Sequence, residues 1–139
     1  MLSEILSSLN WLHVLVAAIA YFALGAIWYS FLFKDQWIKL SGINMDDPNA
    51  KKGVAGVMFC SFILMLVQTI GIAVLEHQFT TKGLMGGLKM GVFVGVTFSS
   101  TAIAINYLYN MKNKMLYIID CGYQIVGCAI AGAIMAAWS

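Results

Sequence analysis

Four polar side chains within apolar stretches are the best candidates for chemistry or ligand binding: Asp120, Asn106, Gln68 and Tyr123. Asp120 lies only about five residues, or 8 Å, past the start of a predicted helix. An ionised aspartate inside a membrane costs roughly 2.5 to 3.5 kcal/mol on insertion scales, and such residues are commonly functional. Two interpretations stay open: Asp120 anchors helices through a lysine or tyrosine partner, or these residues line a polar path for a proton or small ligand.

Two histidines and a glutamate form a second, weaker group. His13 lies near the start of the first predicted span, and Glu76 and His77 follow the second, so all three are expected at one depth. Histidines from facing helices can ligate a haem or, with a glutamate, a metal ion. The H-x-x-x-H or E-x-x-H spacing that places two ligands on one helix face is absent. We therefore predict no bound cofactor and no metal.

The sequence lacks the motifs that are typical of enzymes and of nucleic-acid-binding proteins. No nucleophile with an adjacent base, no glycine-rich phosphate loop and no pair of catalytic carboxylates is present, so we expect no enzymatic activity. All eight basic residues are lysines, whereas nucleic-acid recognition favours arginine, so no nucleic-acid partner is expected. Three cysteines in apolar runs, without C-x-x-C spacing, indicate packing residues.

The elements that position these residues follow from the composition. Of 139 residues, 61% are hydrophobic and only 10% are charged, where soluble domains carry about a quarter. Charge-free runs cover 5–33, 53–75, 90–111 and 121–139. A hydrocarbon core of roughly 30 Å needs about 20 helical residues, and an isolated strand cannot satisfy its backbone in lipid. The sequence predicts one all-α membrane domain over 1–139, a four-helix bundle whose spans are about 11–33, 54–75, 84–107 and 115–138.

The flanking segments and the lysines predict the topology. Short interfacial helices are expected near residues 2–9 and 35–41, where apolar residues alternate with polar ones. Six lysines flank one side of the predicted bundle and two flank the other. The excess of lysine marks the cytoplasmic side. This places the connections 34–53 and 108–114 inside and both termini outside.

A stripe of small residues in the third predicted span indicates close helix packing. Its small residues recur at every fourth position, and a similar row that includes Gly132 lies in the fourth span. The members of the stripe are Gly87, Gly91, Gly95 and Ser99. Such stripes let two helix backbones approach closely, either within a chain or between copies of it. The spacing does not distinguish these two arrangements.

Residues at both ends of the chain resemble those of a small bacterial four-span membrane protein family, catalogued as domain of unknown function 1761. The motifs that carry the resemblance are Asn10-Trp11-Leu12, Val14-Leu15-Val16-Ala17-Ala18, Gly25-Ala26, Trp28-Tyr29-Ser30, Phe33, Trp37, Asp120, Gly122-Tyr123 and Trp138. The resemblance implies an integral protein of a bacterial inner membrane. It implies no activity and therefore assigns no catalytic residue.

Three hypotheses of function follow from these patterns. The first is an interaction or assembly module that self-associates as a homo-oligomer, or binds a membrane partner, through its small-residue faces. The second is a small-solute transporter or channel-like protein that uses Asp120 and the polar residues near it. The third is haem or quinone binding through His13 and His77.

Overall fold

The computed structural model describes residues 2–32 and 54–138, and this part of the chain contains helices and turns but no strand. Its five helices are α1 (Leu2–Ser8), α2 (Trp11–Ile27), α3 (Val54–Gln78), α4 (Gly83–Tyr109) and α5 (Lys114–Ala137). A π-helical turn, Trp28–Leu32, extends α2, and a second, Gly95–Ser99, interrupts α4. The all-helical prediction is confirmed for these residues.

Three of the helices are long and apolar enough to cross a membrane: Met58–Gln78 of α3, the whole of α4 and the whole of α5. Helices α1 and α2 pass the same test only together, as one span bent by 84°. The chain is thus a multi-pass membrane protein with three spans or four. The helix predicted near 2–9 is present as α1, whereas the one near 35–41 lies outside the described residues.

Helix α5 is the centre of the bundle. In its most apolar stretch 61% of the residues are buried, against 17% for α3, and α2, α3 and α4 all pack on it. Helices α2 and α5 run antiparallel. At one end, which we call the tail end, the rings of His13 and Trp138 lie 4.3 Å apart. At the other, the loop end, the Trp28 indole donates to the Ile119 carbonyl over 3.1 Å.

Asn10 is the N-cap residue of α2. Its side-chain oxygen accepts hydrogen bonds from the backbone N–H groups of Leu12 and His13. An N-cap side chain satisfies donors that have no partner inside the helix. We expect Asn10→Ala to lower the free energy of unfolding by about 1 kcal/mol, and Asn10→Ser, which keeps a capping oxygen, to lower it by less. Titration with denaturing detergent, followed by circular dichroism, measures both, and equal losses would contradict this role.

Candidate functional site

Asp120 lies at the loop end and is bound by two tyrosines. It is 7% exposed. Its Oδ1 accepts from the Tyr29 hydroxyl at 2.5 Å, and its Oδ2 accepts from the Tyr107 hydroxyl. We call these three residues the aspartate cluster. Both carboxyl oxygens are therefore satisfied by donors from two other helical segments, as a buried polar group requires.

The two π-helical turns position polar side chains on the bundle interior. Tyr29 belongs to the turn that extends α2, and Ser99 ends the turn in α4. A π turn inserts an extra residue into a helix and so changes the direction of the side chains that follow, and such turns frequently occur at functional sites. Here one turn brings Tyr29 to Asp120, and the other brings Ser99 to Gln68.

A second polar cluster fills the middle of the bundle. The Gln68 amide donates to the Ser99 hydroxyl at 2.5 Å and to Gln124 Oε1 at 3.1 Å. The Tyr21 hydroxyl, on a residue with no exposed surface, donates to Gln124 and lies 3.2 Å from Gln68 Oε1. Cys128 Sγ accepts from Gln68 at 3.5 Å. We call these residues the glutamine cluster, and all four spans of the predicted bundle contribute to it.

Tyr123 lies between the two clusters. Its hydroxyl donates to the Tyr21 carbonyl at 3.0 Å, and its ring meets those of Tyr21 and Tyr29 edge-on, with both centroid distances 5.4 Å. Edge-on aromatic pairs contribute about 0.5–1.5 kcal/mol beyond the area they bury. The predicted residues Asp120, Gln68 and Tyr123 therefore lie in one connected part of the interior, where ring contacts through Tyr123 join the two polar clusters.

Asn106, the fourth predicted polar residue, lies apart from the others. It is exposed, and its side-chain oxygen accepts from Asn110 one turn later at 2.7 Å. Two other residues of the interior, Gln124 and Tyr21, were not predicted from the sequence. Gln124 follows Asp120 by four residues, which places both on one face of α5. That spacing was the available signal.

One face of α5 carries a column of polar groups along the bundle. The polar side chains recur every fourth residue, at Asp120, Gln124 and Cys128, and Gly132 continues the row without a side chain. Twelve residues of helix span about 18 Å, more than half of a hydrocarbon core. At the far end of this column, Gly132 makes room for the carboxylate of Glu76, since a Cβ on that glycine would lie 3.1 Å from Glu76 Oε1.

Glu76 borders a cavity of about 580 Å³ at the tail end, which we call the Glu76 pocket. Its polar and aromatic lining includes Ser8, Asn10, His13, His77, Thr80 and Trp138. Glu76 is 6% exposed, and its Oε1 is buried without a hydrogen-bond partner in the part of the chain that the structure describes. The second span was predicted to end at about residue 75, before Glu76, whereas the candidate span of the structure includes this glutamate. Helix α3 continues past Leu75 to Gln78, and α5 covers the glutamate.

His13 and His77 line the same pocket, and each forms a hydrogen bond with another residue of the lining. His77 Nε2 bonds Ser8 Oγ at 2.9 Å, which ties α3 to α1. Asn10 Oδ1 caps α2, so its Nδ2 faces His13 Nε2 at 3.2 Å, and that ring nitrogen is the acceptor. Within 2–32 and 54–138, no three His, Cys, Asp or Glu side chains converge as a metal site requires. The pocket brings these residues together without giving them metal-binding geometry.

A family comparison covers nearly the whole chain. The model of a family described as protein of unknown function (DUF1761) matches residues 12–136. The chain belongs to this family. No curated protein and no solved structure matches it. The name DUF1761 assigns no activity, so the geometry is what bears on function.

Residues that carry the family resemblance come together at the loop end of this DUF1761 chain. Gly25 lies against Tyr123, and a Cβ there would be 2.9 Å from the tyrosine hydroxyl oxygen. Gly122 gives the same room to the Trp28 ring at 3.3 Å. Motifs some ninety residues apart in sequence thus form the contact between α2 and α5 that holds the aspartate cluster. Trp37 lies outside the described residues.

The glycine stripe of the DUF1761 chain packs within the chain. A Cβ on Gly87 would lie 2.8 Å from the Gly132 carbonyl carbon, one on Gly91 2.6 Å from Ala129 Cα, and one on Gly95 2.8 Å from Ile125 Cα. These contacts join α4 to α5. Ser99, the last residue of the stripe, has a different role. Its hydroxyl accepts a hydrogen bond from the Gln68 amide. The stripe is therefore occupied by a helix of the same chain.

Proposed function

We propose that this protein is a small-solute transporter whose path follows the polar face of α5 between the Glu76 pocket and the aspartate cluster. The observation that carries the proposal is the buried polar column itself, with a carboxylate at each end. Buried polar side chains in a membrane are expensive unless they pair or face a pathway, and they mark substrate and ion routes. Glu76 connects the pocket with the tail end of the column, because it lines the pocket and its Oε1 lies beside Gly132.

The charge of the column favours a positively charged solute. The side chains of the aspartate and glutamine clusters, Tyr123 and Glu76 include two carboxylic acids and no base. A path lined by one sign of charge concentrates the opposite charge and repels its own. We therefore assign monovalent cations as the substrate class, which includes inorganic ions and protonated amines.

The proposed path requires four crossings, and three features support them. Helix α2 and its π turn run from Trp11 to Leu32, and these 22 residues extend about 33 Å. The contact of the His13 ring with the Trp138 ring brings the start of α2 and the end of α5 together, which is the arrangement expected for an even number of crossings. The lysine excess favours termini outside and the connections 34–53 and 108–114 in the cytoplasm of a bacterial inner membrane.

Self-association stays a prediction that the small-residue stripe does not support, because helix α5 of the same chain covers it. Haem or quinone binding stays a weaker one, because both His Nε2 atoms already have partners within the fold. The absence of enzymatic activity likewise stays a prediction. Among these hypotheses the transporter uses the largest number of the buried polar contacts.

Transport is tested by currents from proteoliposomes adsorbed on a solid-supported membrane, after concentration jumps of potassium, sodium, ammonium or ethanolammonium chloride. We expect Asp120→Asn, which preserves the shape of the aspartate, to reduce the current at least about tenfold, the effect of losing roughly 1.4 kcal/mol of stabilisation. The matched control is Asn106→Ala, because Asn106 lies outside the column, and it should retain the current. An unchanged Asp120→Asn current, or no wild-type current above empty liposomes with all four probes, would refute the proposal.

A further inference from the structure

We infer that the Glu76 pocket is a binding site for a primary ammonium group. The inference rests on the proposed function for the role of the site, and it narrows the substrate class from cations in general to compounds that carry –NH₃⁺. Its starting point is an acceptor without a donor: Glu76 lines a cavity of about 580 Å³, and its buried Oε1 has no hydrogen-bond partner among the described residues. A buried carboxyl oxygen left without a hydrogen bond is unfavourable, so a ligand that donates to it gains that energy.

The lining of the pocket favours an ammonium over other ligands. A metal ion needs several ligands at once, and no such group exists among the described residues. The lining holds Lys82 as well as Glu76, but the lysine is exposed to solvent whereas the glutamate is buried, and a buried charge is screened less, so the net preference is against an anion. A quaternary ammonium has no N–H to offer to Oε1, whereas a primary ammonium has three. The hydroxyl groups of Ser8 and Thr80 are further acceptors in the lining.

The aromatic wall adds a second contribution to cation binding. Trp138 lines the pocket and is packed against His13. Indole is the best aromatic partner for a cation, with about 0.5–2 kcal/mol per contact depending on exposure. Trp138 is half exposed, at 51%, so its replacement should not disturb the core of the bundle. Carboxylate and indole together define a site for an organic cation with an apolar portion.

Two sources of –NH₃⁺ reach this position: a free amino alcohol or amine, and the ethanolamine headgroup of a phospholipid. The pocket lies at the end of a membrane-spanning helix, next to α1, so either source has access. Both present the same group to Glu76. The experiment below therefore begins with the free compound and uses lipid composition to distinguish the sources.

The test is isothermal titration of the purified full chain in lipid-free detergent with ethanolammonium chloride, and with tetramethylammonium chloride as the probe without N–H. We expect ethanolammonium to bind and tetramethylammonium to bind at least about tenfold more weakly, because one charge-assisted hydrogen bond contributes about 1.5–3 kcal/mol. Glu76→Gln should weaken ethanolammonium binding by at least the same factor. Glu4→Gln, which removes an exposed acid on α1, is the matched control and should have no effect.

Several outcomes would overturn the inference. They are equal binding of the two probes, equal binding by wild type and Glu76→Gln, and no binding of ethanolammonium by the wild type. If Glu76→Gln does not fold, Trp138→Leu replaces it, and this variant should reduce ethanolammonium affinity severalfold. Lys82→Ala removes the exposed cation of the lining and should leave the affinity unchanged or raise it, so a fall would count against the site.

Nanodiscs separate the two sources of the ligand. If ethanolamine phospholipid suppresses ethanolammonium binding and choline phospholipid does not, the headgroup occupies the pocket. If neither suppresses it, the ligand is a free amine, and both results support the inference. Ethanolammonium binding without any current in proteoliposomes would retain this site and remove the transport proposal. A current that depends on Asp120, without binding that depends on Glu76, would remove this inference alone.

Discussion

Gly91→Ala is expected to destabilise the protein by about 3 kcal/mol or more. The added Cβ would lie 2.6 Å from both Ala129 Cα and the Cys128 carbonyl carbon. These are backbone atoms, which cannot swing aside as the end of a flexible side chain can. Helices α4 and α5 must move apart, and the contacts at Gly87 and Gly95 weaken with them. Overpacking of a tight core costs about 1–3 kcal/mol, and the loss of neighbouring contacts adds to it.

The matched control for this substitution is Gly71→Ala. Apart from its two chain neighbours and the adjacent backbone of its own helix, no atom of the described residues lies within 4 Å of a Cβ at Gly71 in α3. Alanine is the better helix former by about 1 kcal/mol, so this variant should be as stable as the wild type or more so. Unfolding in mixed micelles of mild and denaturing detergent measures both variants. Equal stability of the two variants would contradict the packing of the stripe within the chain.

The same pair of variants distinguishes internal packing from assembly. If the stripe joined two copies, Gly91→Ala would change the mass of the complex, measured by light scattering in detergent, while each chain kept its stability. We expect the reverse: loss of stability, with no change of mass under conditions where the chain stays folded. The physical reason is that the Gly91 position is already filled by α5.

Asp120→Ala is the second substitution with a large expected effect. It removes the acceptor of two hydrogen bonds, one from the Tyr29 hydroxyl and one from the Tyr107 hydroxyl, which come from separate helical segments. Truncating one partner of such a bond costs about 1–3 kcal/mol, so the loss of both bonds should cost about 2–6 kcal/mol. Detergent unfolding, followed by tryptophan fluorescence, measures this loss.

A double-mutant cycle isolates the contact of Asp120 with Tyr29. We expect Tyr29→Phe to cost about 1–3 kcal/mol alone and clearly less in the Asp120→Ala background, because the hydrogen bond between the two side chains is already absent there. Tyr109→Phe is the control, since Tyr109 is 86% exposed and lies only two residues after Tyr107. It should change stability by less than about 0.5 kcal/mol. Additive effects of Asp120→Ala and Tyr29→Phe would show that the two side chains do not interact.

Much of the polar interior could be predicted from residue type alone. The residues that were wrongly included or missed share one cause. Asp120, Gln68 and Tyr123 were predicted because polar groups in an apolar helix need partners. Asn106 satisfied the same criterion but lies on an exposed face of α4. Glu76 was not counted among these residues because the predicted span ended just before this charge. In the structure the helix continues past it, and α5 packs over its side chain. In each case the direction of the side chain, not its type, decided its role.

The hydrogen-bond partners of Asp120 also could not be predicted from residue type alone. A lysine or a neighbouring tyrosine was the expected partner, whereas Tyr29 and Tyr107 are the ones observed. Tyr29 reaches the carboxylate from a π-helical turn. Such a turn is a departure from regular helix and is stabilised by contacts with other helices, so the local sequence does not reveal it.

The sequence by itself determined that this chain is helical and multi-pass, since the length and polarity of its runs must match a bilayer and every backbone group must be paired in lipid. Only the tertiary structure decided which face of each helix meets another helix. In water, apolar periodicity marks the side that packs, but in a membrane the lipid-facing side is equally apolar. The glycine stripe, the polar column and the Glu76 pocket therefore acquire their neighbours only when the four long helices come together.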